Sequence, residues 1–255
     1  MHTRPPYVPQ IRLYQDWLRD QRGLSFPTYH ELWRWSITDL DAFWQSIWDY
    51  FEMESPTPHT AVLAKNVMPG AVWFPGAKTN YAHQVLRHVQ PAHAAGFPAV
   101  ISRNEKGEHR EISWPELRRQ VAACAAAFQA MGVQRGDRIC AVLPNVPQTI
   151  VVFLACASLG AIWSVCSPDM GPVAVLDRFR QIEPKLLVAC DGYRYAGQAH
   201  DRRGRDVFGL RSRLGDRHRQ RHRCRQRRFG KRRVHGRLGL HRRLLASSTA
   251  GSLPG

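Results

Sequence analysis

A break at Asp201 constrains this chain more than any motif in it. From Arg202 to Gly255 there are seventeen Arg and one Lys against Asp206 and Asp216, a net +16 of the whole chain's +17. A packed core therefore has to come from residues 1–201, which carry 19 basic and 18 acidic side chains and are close to neutral. All eight Trp and all seven Tyr also precede Arg202. Val, Leu and Phe make up 11 of the last 54 residues, near the level of roughly 20% at which a highly charged segment stays unfolded. Ordering such a segment costs about 1 to 2 kcal/mol per residue, which so little apolar surface does not offset. Residues 202–255 are expected to be a disordered basic tail.

Two origins fit that tail. Blocks of like charge in terminal arms contact nucleic-acid phosphates. Alternatively, the tail is an out-of-frame translation: upstream residues use Arg over Lys by fifteen to four, which suggests a GC-rich gene. Misread GC-rich codons yield mainly Arg, Gly, His, Ala, Leu and Ser, and ordered domains rarely have such a composition.

The first 201 residues are long enough to bury roughly 70% of their unfolded surface. Met1 to Gln10 has no apolar stretch of the secretory kind, and the longest apolar run, Val146 to Cys166, is interrupted by Pro147, Gln148 and Gly160. No membrane partner is expected, and the expected location is cytoplasmic. The six Cys, at 124, 140, 156, 166, 190 and 224, form no CxxC pair and read as reduced thiols.

The region to about Pro91 reads as mostly helical. Thr38 is a candidate N-cap, with Asp39 and Asp41 at the positive end of the helix dipole. Leu40, Phe43, Trp44, Ile47, Trp48 and Phe51 recur at helical spacing and read as core, and Pro56 and Pro58 end the pattern. After Gly96 strands and helices alternate. Ala99 to Asn104 and Arg110 to Ile112 predict a hairpin around Glu105-Lys106-Gly107-Glu108. Ser113 and Glu116 predict a capping box around Pro115, opening a helix with Leu117, Val121, Ala125, Phe128 and Met131 on one stripe and Gly132 at its end.

Arg138 to Leu143 then predicts a buried strand, followed by a helix capped by Asn145 and running to Leu159. Ala161 to Cys166, Val173 to Glu183 and Lys185 to Cys190 continue as strand, helix and strand. This order implies an α/β fold: a helical N-terminal region followed by the start of a parallel βαβ sheet. The expected divisions are 1–95, 96–201 and 202–255. A sheet ending at Cys190 would expose an edge and invite association.

Common catalytic signatures are missing: the sequence holds no G-x-G-x-x-G, G-x-S-x-G or H-E-x-x-H, and Arg225 occupies the glycine position that a Walker loop ending at Gly230-Lys231 requires. His218, His222 and Cys224 have a spacing a metal could use, but arginines surround them, and no metal site is assigned. His83 and His88 read as surface or satisfied core residues rather than a catalytic pair. No catalytic residue is assigned.

Several stretches, in order, resemble the N-terminal part of acyl-CoA synthetases of the adenylate-forming superfamily. They are Trp73-Phe74-Pro75-Gly76-Ala77-Lys78-Thr79-Asn80-Tyr81-Ala82, Glu111-Ile112-Ser113-Trp114-Pro115-Glu116-Leu117, Gly136-Asp137-Arg138, Leu143-Pro144-Asn145 and Gly160-Ala161-Ile162-Trp163-Ser164. The Trp-rich start resembles the acetyl-CoA synthetase N-terminal region. The Trp-Phe-Pro-Gly-Ala and Ser167-Pro168-Asp169 stretches resemble the acetoacetate-activating members. The resemblance spans about Tyr14 to Asp201.

It implies an AMP-binding ligase fold and a reaction that uses ATP, Mg²⁺ and CoA to convert a small carboxylate such as acetoacetate to its thioester. The family's phosphate loop, acyl pocket and two catalytic lysines are not found in these 255 residues, which implies a fragment without activity of its own. Asp191-Gly192-Tyr193-Arg194-Tyr195-Ala196-Gly197-Gln198 resembles the family loop whose arginines approach the CoA phosphates, so Arg194 is the one candidate binding residue, with Gln198 where a second basic residue is common. Two readings stand beside this one: an α/β scaffold with a nucleic-acid-binding arm, and a module that pairs with a separately made remainder of the enzyme.

Whatever its origin, a tail of net +16 should bind nucleic acids by counterion release. Duplex DNA, single strands and structured RNA are expected to bind within a few-fold of one another, steeply weakened by salt, and not at all once residues 202–255 are deleted. Fluorescence anisotropy across a salt series checks this. A preference of about a thousandfold for one target would identify a selected arm.

Overall fold

In the computed structural model, which describes residues 8–201 and 238–242, the chain divides into two compact units, 1–79 and 80–255.

The first unit is three helices and a short ribbon: α1 (Gln10–Arg22), α2 (Tyr29–Thr38), α3 (Leu40–Tyr50), β1 (Leu63–Lys65) and β2 (Val72–Trp73), the two strands antiparallel. Helix α2 starts in a full capping box between Thr28 and Glu31. Thr38 is not an N-cap: it is the last residue of α2, its hydroxyl donates back to the Arg34 carbonyl, and Asp39 caps α3 by accepting from the Ala42 N–H. A carboxylate one residue on does the job assigned to the hydroxyl.

The aromatic stripe of α3 is only partly core. Phe43 and Ile47 pack with Trp35 against Tyr14, Leu18 and Leu32, whereas Trp44 (39%) and Phe51 (47%) stay exposed. Trp44 lies edge-on to Trp73, and Trp48 packs on Phe74 and His59. The Tyr14 hydroxyl and the buried Ser46 Oγ lie 2.6 Å apart, so the two polar groups inside this cluster satisfy each other.

The second unit begins with α4 (Tyr81–Leu86) and α5 (Val89–Ala94), then an antiparallel hairpin of β3 (Val100–Arg103) and β4 (His109–Ile112). Helix α6 (Trp114–Ala130) leads to β5 (Arg138–Val142), α7 (Pro147–Ser158), β6 (Ile162–Cys166), α8 (Pro172–Ile182) and β7 (Leu186–Cys190). A second hairpin follows, β8 (Gly192–Tyr195) and β9 (Gln198–Asp201), and then β10 (Leu238–Arg242). Strand β5 lies parallel to both β6 and β7, in the order β10-β7-β5-β6.

Alternation along the central strands builds a core on each face. Ile139, Ala141 and Leu143 join Leu186 and Val188 under α6 and α7, while Cys140 and Val142 join Leu187 and Ala189 under α8. Phe128 and Phe179, fully buried one on each side, contribute about 1.5–3 kcal/mol apiece. The α/β reading from the strand and helix order holds, with boundaries moved by one or two residues.

Two caps differ from expectation. Ser113 accepts from the Glu116 N–H, but the Glu116 carboxylate turns to Arg119 and Gln120, so the capping box is half made. Those bonds, Arg119 first, hold the Glu116 carboxyl down to about 2. Helix α7 is not capped by Asn145: Val146 takes the N-cap position without a side-chain bond, and Pro147 opens the helix, where its missing N–H is no loss.

The expected bare edge after Cys190 is also corrected. Residues 238–242, which fall in the tail expected to be disordered, pair antiparallel with β7, Leu238 opposite Cys190 and Arg242 opposite Leu186. Backbone pairing uses N–H and C=O groups that every residue here supplies, so composition did not foretell it. Residues 202–237 and 243–255 lie outside the described residues. Among the described residues the sheet ends at β10 on one side and at β6 on the other, where Ile162 (53%) and Val165 (43%) are exposed.

The Gly136-Asp137-Arg138 turn ties the sheet together. Lys185 Nζ donates to Asp137 Oδ2 and to the Gly132 carbonyl, both at 2.6 Å, and the Gln134 N–H donates to the same Asp137 oxygen at 2.7 Å. Arg138 donates to the Ile182 and Glu183 carbonyls at the end of α8. Burial pushes the Asp137 carboxyl up, but Lys185, Gln134 and Arg138 together outweigh it and leave it below its ordinary value of 3.8.

Asp137→Ala should therefore destabilise the sheet by about 1–3 kcal/mol at neutral pH. A depressed carboxyl contributes stability above its unfolded pKa and loses it as pH falls through the folded value. The gap between wild type and Asp137→Asn should accordingly be full at pH 7 and narrow below pH 3.8. Urea titrations at several pH values measure it.

Candidate functional site

Strand β7 ends at Cys190, and Asp191 carries the chain into the β8–β9 hairpin, so the candidate Arg194 stands at the carboxyl end of the sheet. That is the end at which open α/β sheets bind ligands. The connections leaving β5 and β6 diverge, α7 packing on the Ile139 face and α8 on the Cys140 face. In open α/β sheets ligands bind where such a divergence occurs, which in this chain falls next to the Leu143–Asn145 and Ser167–Asp169 turns. Ser167 Oγ bonds Asp169 within the second turn, and the Thr149 hydroxyl donates to the Pro144 carbonyl at 2.8 Å in the first.

The hairpin is built around a two-residue tip. Tyr195 pairs with Gln198, and between them Ala196 (φ 50) and Gly197 (φ 76) are both left-handed, as tight hairpin turns require. Glycine accepts this freely, whereas alanine pays about 1–2 kcal/mol for it. The Glu105 carboxylate offsets that cost: Oε1 accepts the Ala196 N–H at 2.7 Å and Oε2 the Gly197 N–H at 3.0 Å. At the base, the Tyr193 and His200 rings stack at 4.8 Å.

Glu105 reaches the tip from the β3–β4 turn, which Asn104 fixes by accepting from the Lys106 and Glu108 N–H groups, both at 3.0 Å. Arg194 is exposed and donates through Nη1 to the Gly197 carbonyl at 2.7 Å, which sets its guanidinium beside the same tip. Sequence reading singled out Arg194 and did not foresee its neighbours, Glu105 and the two amides. An exposed Glu in a turn carries no local sign of a partner 91 residues away.

Arg194, Glu105 and the tip are thus brought together; other candidates are not. His83 and His88 are both exposed, one in α4 and one capping α5. His218, His222 and Cys224 lie outside the described residues, and among the described residues no three His, Cys, Asp or Glu side chains are grouped to hold a metal. Cys124, Cys140, Cys156 and Cys166 are free thiols. Burial pushes Cys124 up to about 11 and Cys140 and Cys156 to about 12, which leaves them protonated and poor nucleophiles.

The stretches that carry the family resemblance do structural work. In the Trp73–Ala77 stretch, Gly76 (φ 91) approaches the Pro58 carbonyl so closely that a Cβ would sit 2.9 Å from it, and its own carbonyl accepts from the Thr57 hydroxyl at 2.6 Å.

Comparison with known proteins agrees with this architecture. Residues 29–85 match the acetyl-coenzyme A synthetase N-terminus model, and residues 87–225 match the AMP-binding enzyme model, which continues past Asp201. The second match covers more than half of the chain, and the chain belongs to the AMP-binding enzyme family. Within it, its homologues include the acetoacetyl-coenzyme A synthetase of Rhizobium meliloti, 38% identical over 206 residues, which are 78% of this chain and 31% of that protein. The acetoacetyl-CoA synthetase of Xenopus tropicalis is 36% identical, over 76% of this chain and 29% of its own length. The solved structure of acetoacetyl-CoA synthetase from Streptomyces lividans superposes with a TM-score of 0.73 at 44% identity, over 80% of this chain and 31% of that one. The chain thus spans about a third of the length of these relatives.

If the tip conformation depends on left-handed backbone at position 197, Gly197→Val should unmake the hairpin while sparing the sheet, because a β-branched residue does not fit φ 76. Amide hydrogen exchange should rise at Arg194 to Gln198 and stay unchanged at Ile139 to Val142. Equal exchange at the tip in wild type and variant would contradict it.

Proposed function

We propose that this chain is the N-terminal part of an acetoacetate–CoA ligase, contributing to the reaction of ATP, acetoacetate and CoA to acetoacetyl-CoA, AMP and diphosphate. The observation that carries the reading is the 44% identity to the Streptomyces lividans enzyme at a TM-score of 0.73 across 80% of the chain. On this reading residues 1–95 are the helical entry region, 96–201 the beginning of the nucleotide-binding subdomain, and 202–255 a frameshifted extension, with the whole acting in the cytoplasm.

The residues in hand fit part of the ligand set. Arg194 is a donor that suits a CoA phosphate; an arginine–phosphate bond supplies about 1.5–3 kcal/mol. They do not supply what ATP with Mg²⁺ requires, since no glycine-rich loop with a lysine is present in the 255 residues. These residues by themselves are therefore not sufficient for turnover. A second reading, an α/β scaffold with a nucleic-acid arm, rests on the net +16 of residues 202–255.

Pyrophosphate release with ATP, Mg²⁺, acetoacetate and CoA should not exceed a no-enzyme control. Joining residues 1–201 to the downstream two thirds of the Streptomyces lividans enzyme should give acetoacetyl-CoA synthesis, and Arg194→Ala in that chimera should raise KM for CoA about tenfold or more with kcat nearly unchanged. Turnover by the present chain would overturn the fragment reading. A soluble, folded chimera inactive on acetoacetate would overturn the ligase assignment.

A further inference from the structure

We propose that Glu105 is a positioning residue for CoA: it pins the end of the β8–β9 hairpin in the conformation that presents the Arg194 guanidinium, and without it the arginine is placed too loosely to hold a phosphate well. The proposal rests on the phosphate role assigned to Arg194 above and adds to it a residue that touches no ligand. Among the described residues β8 and β9 form a sheet of two strands only. A lone two-stranded hairpin is at best marginally stable in water, and this one carries Ala196 in a left-handed conformation that a side chain resists. Its base closes tightly, since a Cβ on Gly192 would meet the His200 carbonyl at 2.8 Å, but that contact fixes the foot of the ribbon and not its end.

Glu105 supplies what that end lacks. Its carboxylate takes the Ala196 N–H on one oxygen at 2.7 Å and the Gly197 N–H on the other at 3.0 Å, which fixes two successive peptide planes at once. The next group along the chain is the Gly197 carbonyl, the acceptor that holds Arg194 Nη1 at 2.7 Å. Contacts thus run from a carboxylate through two peptides to a guanidinium. Glu105 can act as a strut because its own turn is held: the Gly107 N–H returns to the Asn104 carbonyl at 2.9 Å, and Asn104 Nδ2 donates to Glu108 Oε2 at 2.7 Å. Its negative charge works against an incoming phosphate, but Glu105 and Arg194 are both exposed, where water and salt screen charges that are not in contact. The two bonds to the tip are direct and charge-assisted. Placement therefore outweighs repulsion, and removing Glu105 weakens CoA binding.

The test is a CoA titration of the ¹⁵N-labelled 255-residue chain, read at the Arg194 Nε–H signal, which is assigned by its loss in Arg194→Lys and so kept apart from the arginines of the tail. Glu105→Ala should raise the half-saturating CoA concentration at Arg194 about fivefold, the scale of a long side chain that must be immobilised afresh. Glu105→Gln, which keeps one acceptor oxygen, should fall between Glu105→Ala and wild type. Amide exchange should rise at Ala196 and Gly197 in Glu105→Ala and stay unchanged at Ile139 to Val142. In the chimera described above, Glu105→Ala should raise KM for CoA by about the same factor with kcat and KM for ATP unchanged, and should add nothing to Arg194→Ala. A wild-type titration that Glu105→Ala reproduces would overturn the proposal and leave the Arg194 reading standing. Tighter CoA binding in Glu105→Ala would overturn it as well, by making the carboxylate a repelling charge, and so would loss of amide dispersion throughout both Glu105 variants. An Arg194 signal that CoA moves in no form of the chain would overturn the phosphate role and the proposal together.

Discussion

The sheet unit depends on β5 being buried on both faces. Ile139, Cys140 and Ala141 have no exposure at all, so neither side of the strand tolerates solvent and helices must cover both. This requirement forces α7 and α8 to opposite faces, and opposite faces create the divergence beyond the strand ends. The polar frame then fixes where the strands begin. Lys185 reaches back to Asp137 and Gly132, and Arg138 reaches the end of α8, so the starts of β5 and β7 are bonded to each other and to the helix between them.

What was legible in the sequence follows from which forces are local. Burial on two faces writes unbroken apolar runs such as Ile139–Val142 and Leu186–Cys190, and a two-faced strand is recognisable whatever its partners. Helix α6 was equally plain, because Leu117, Val121 and Phe128 mark a stripe that the structure buries. The caps were harder. Ser, Thr, Asn and Asp all offer an oxygen, and the choice among neighbours depends on backbone angles that composition does not encode. Hence Asp39 rather than Thr38 caps α3, and Val146, with no side-chain bond, stands where Asn145 was expected.

Aromatic spacing misled in a different way. Periodicity shows that Leu40, Phe43, Trp44, Ile47 and Trp48 share a helix surface, yet a small three-helix cluster has room for only part of it. Phe43 and Ile47 meet Tyr14 and Leu18, and the larger Trp44 and Trp48 are left to rings of the ribbon, Trp73 and Phe74. The Trp73–Ala77 stretch that carries the family resemblance is thus a packing device. It supplies the rings that α3 cannot bury and a glycine at the one point where backbone meets backbone. The motifs that identify the family do so through architecture rather than chemistry.

Long-range backbone contacts are the part that no local pattern announces. Pairing of residues 238–242 with β7 and the seating of Glu105 on the 196–197 tip both use main-chain groups, which every residue but proline supplies in full. Their energies differ in kind. A strand pair at the β7 edge satisfies several donors and acceptors and needs little of its side chains, so even an arginine-rich segment can provide it. The tip instead takes one acceptor with two oxygens, the Glu105 carboxylate, and holds each oxygen with one amide, so a single side chain from a turn 91 residues away closes the hairpin end.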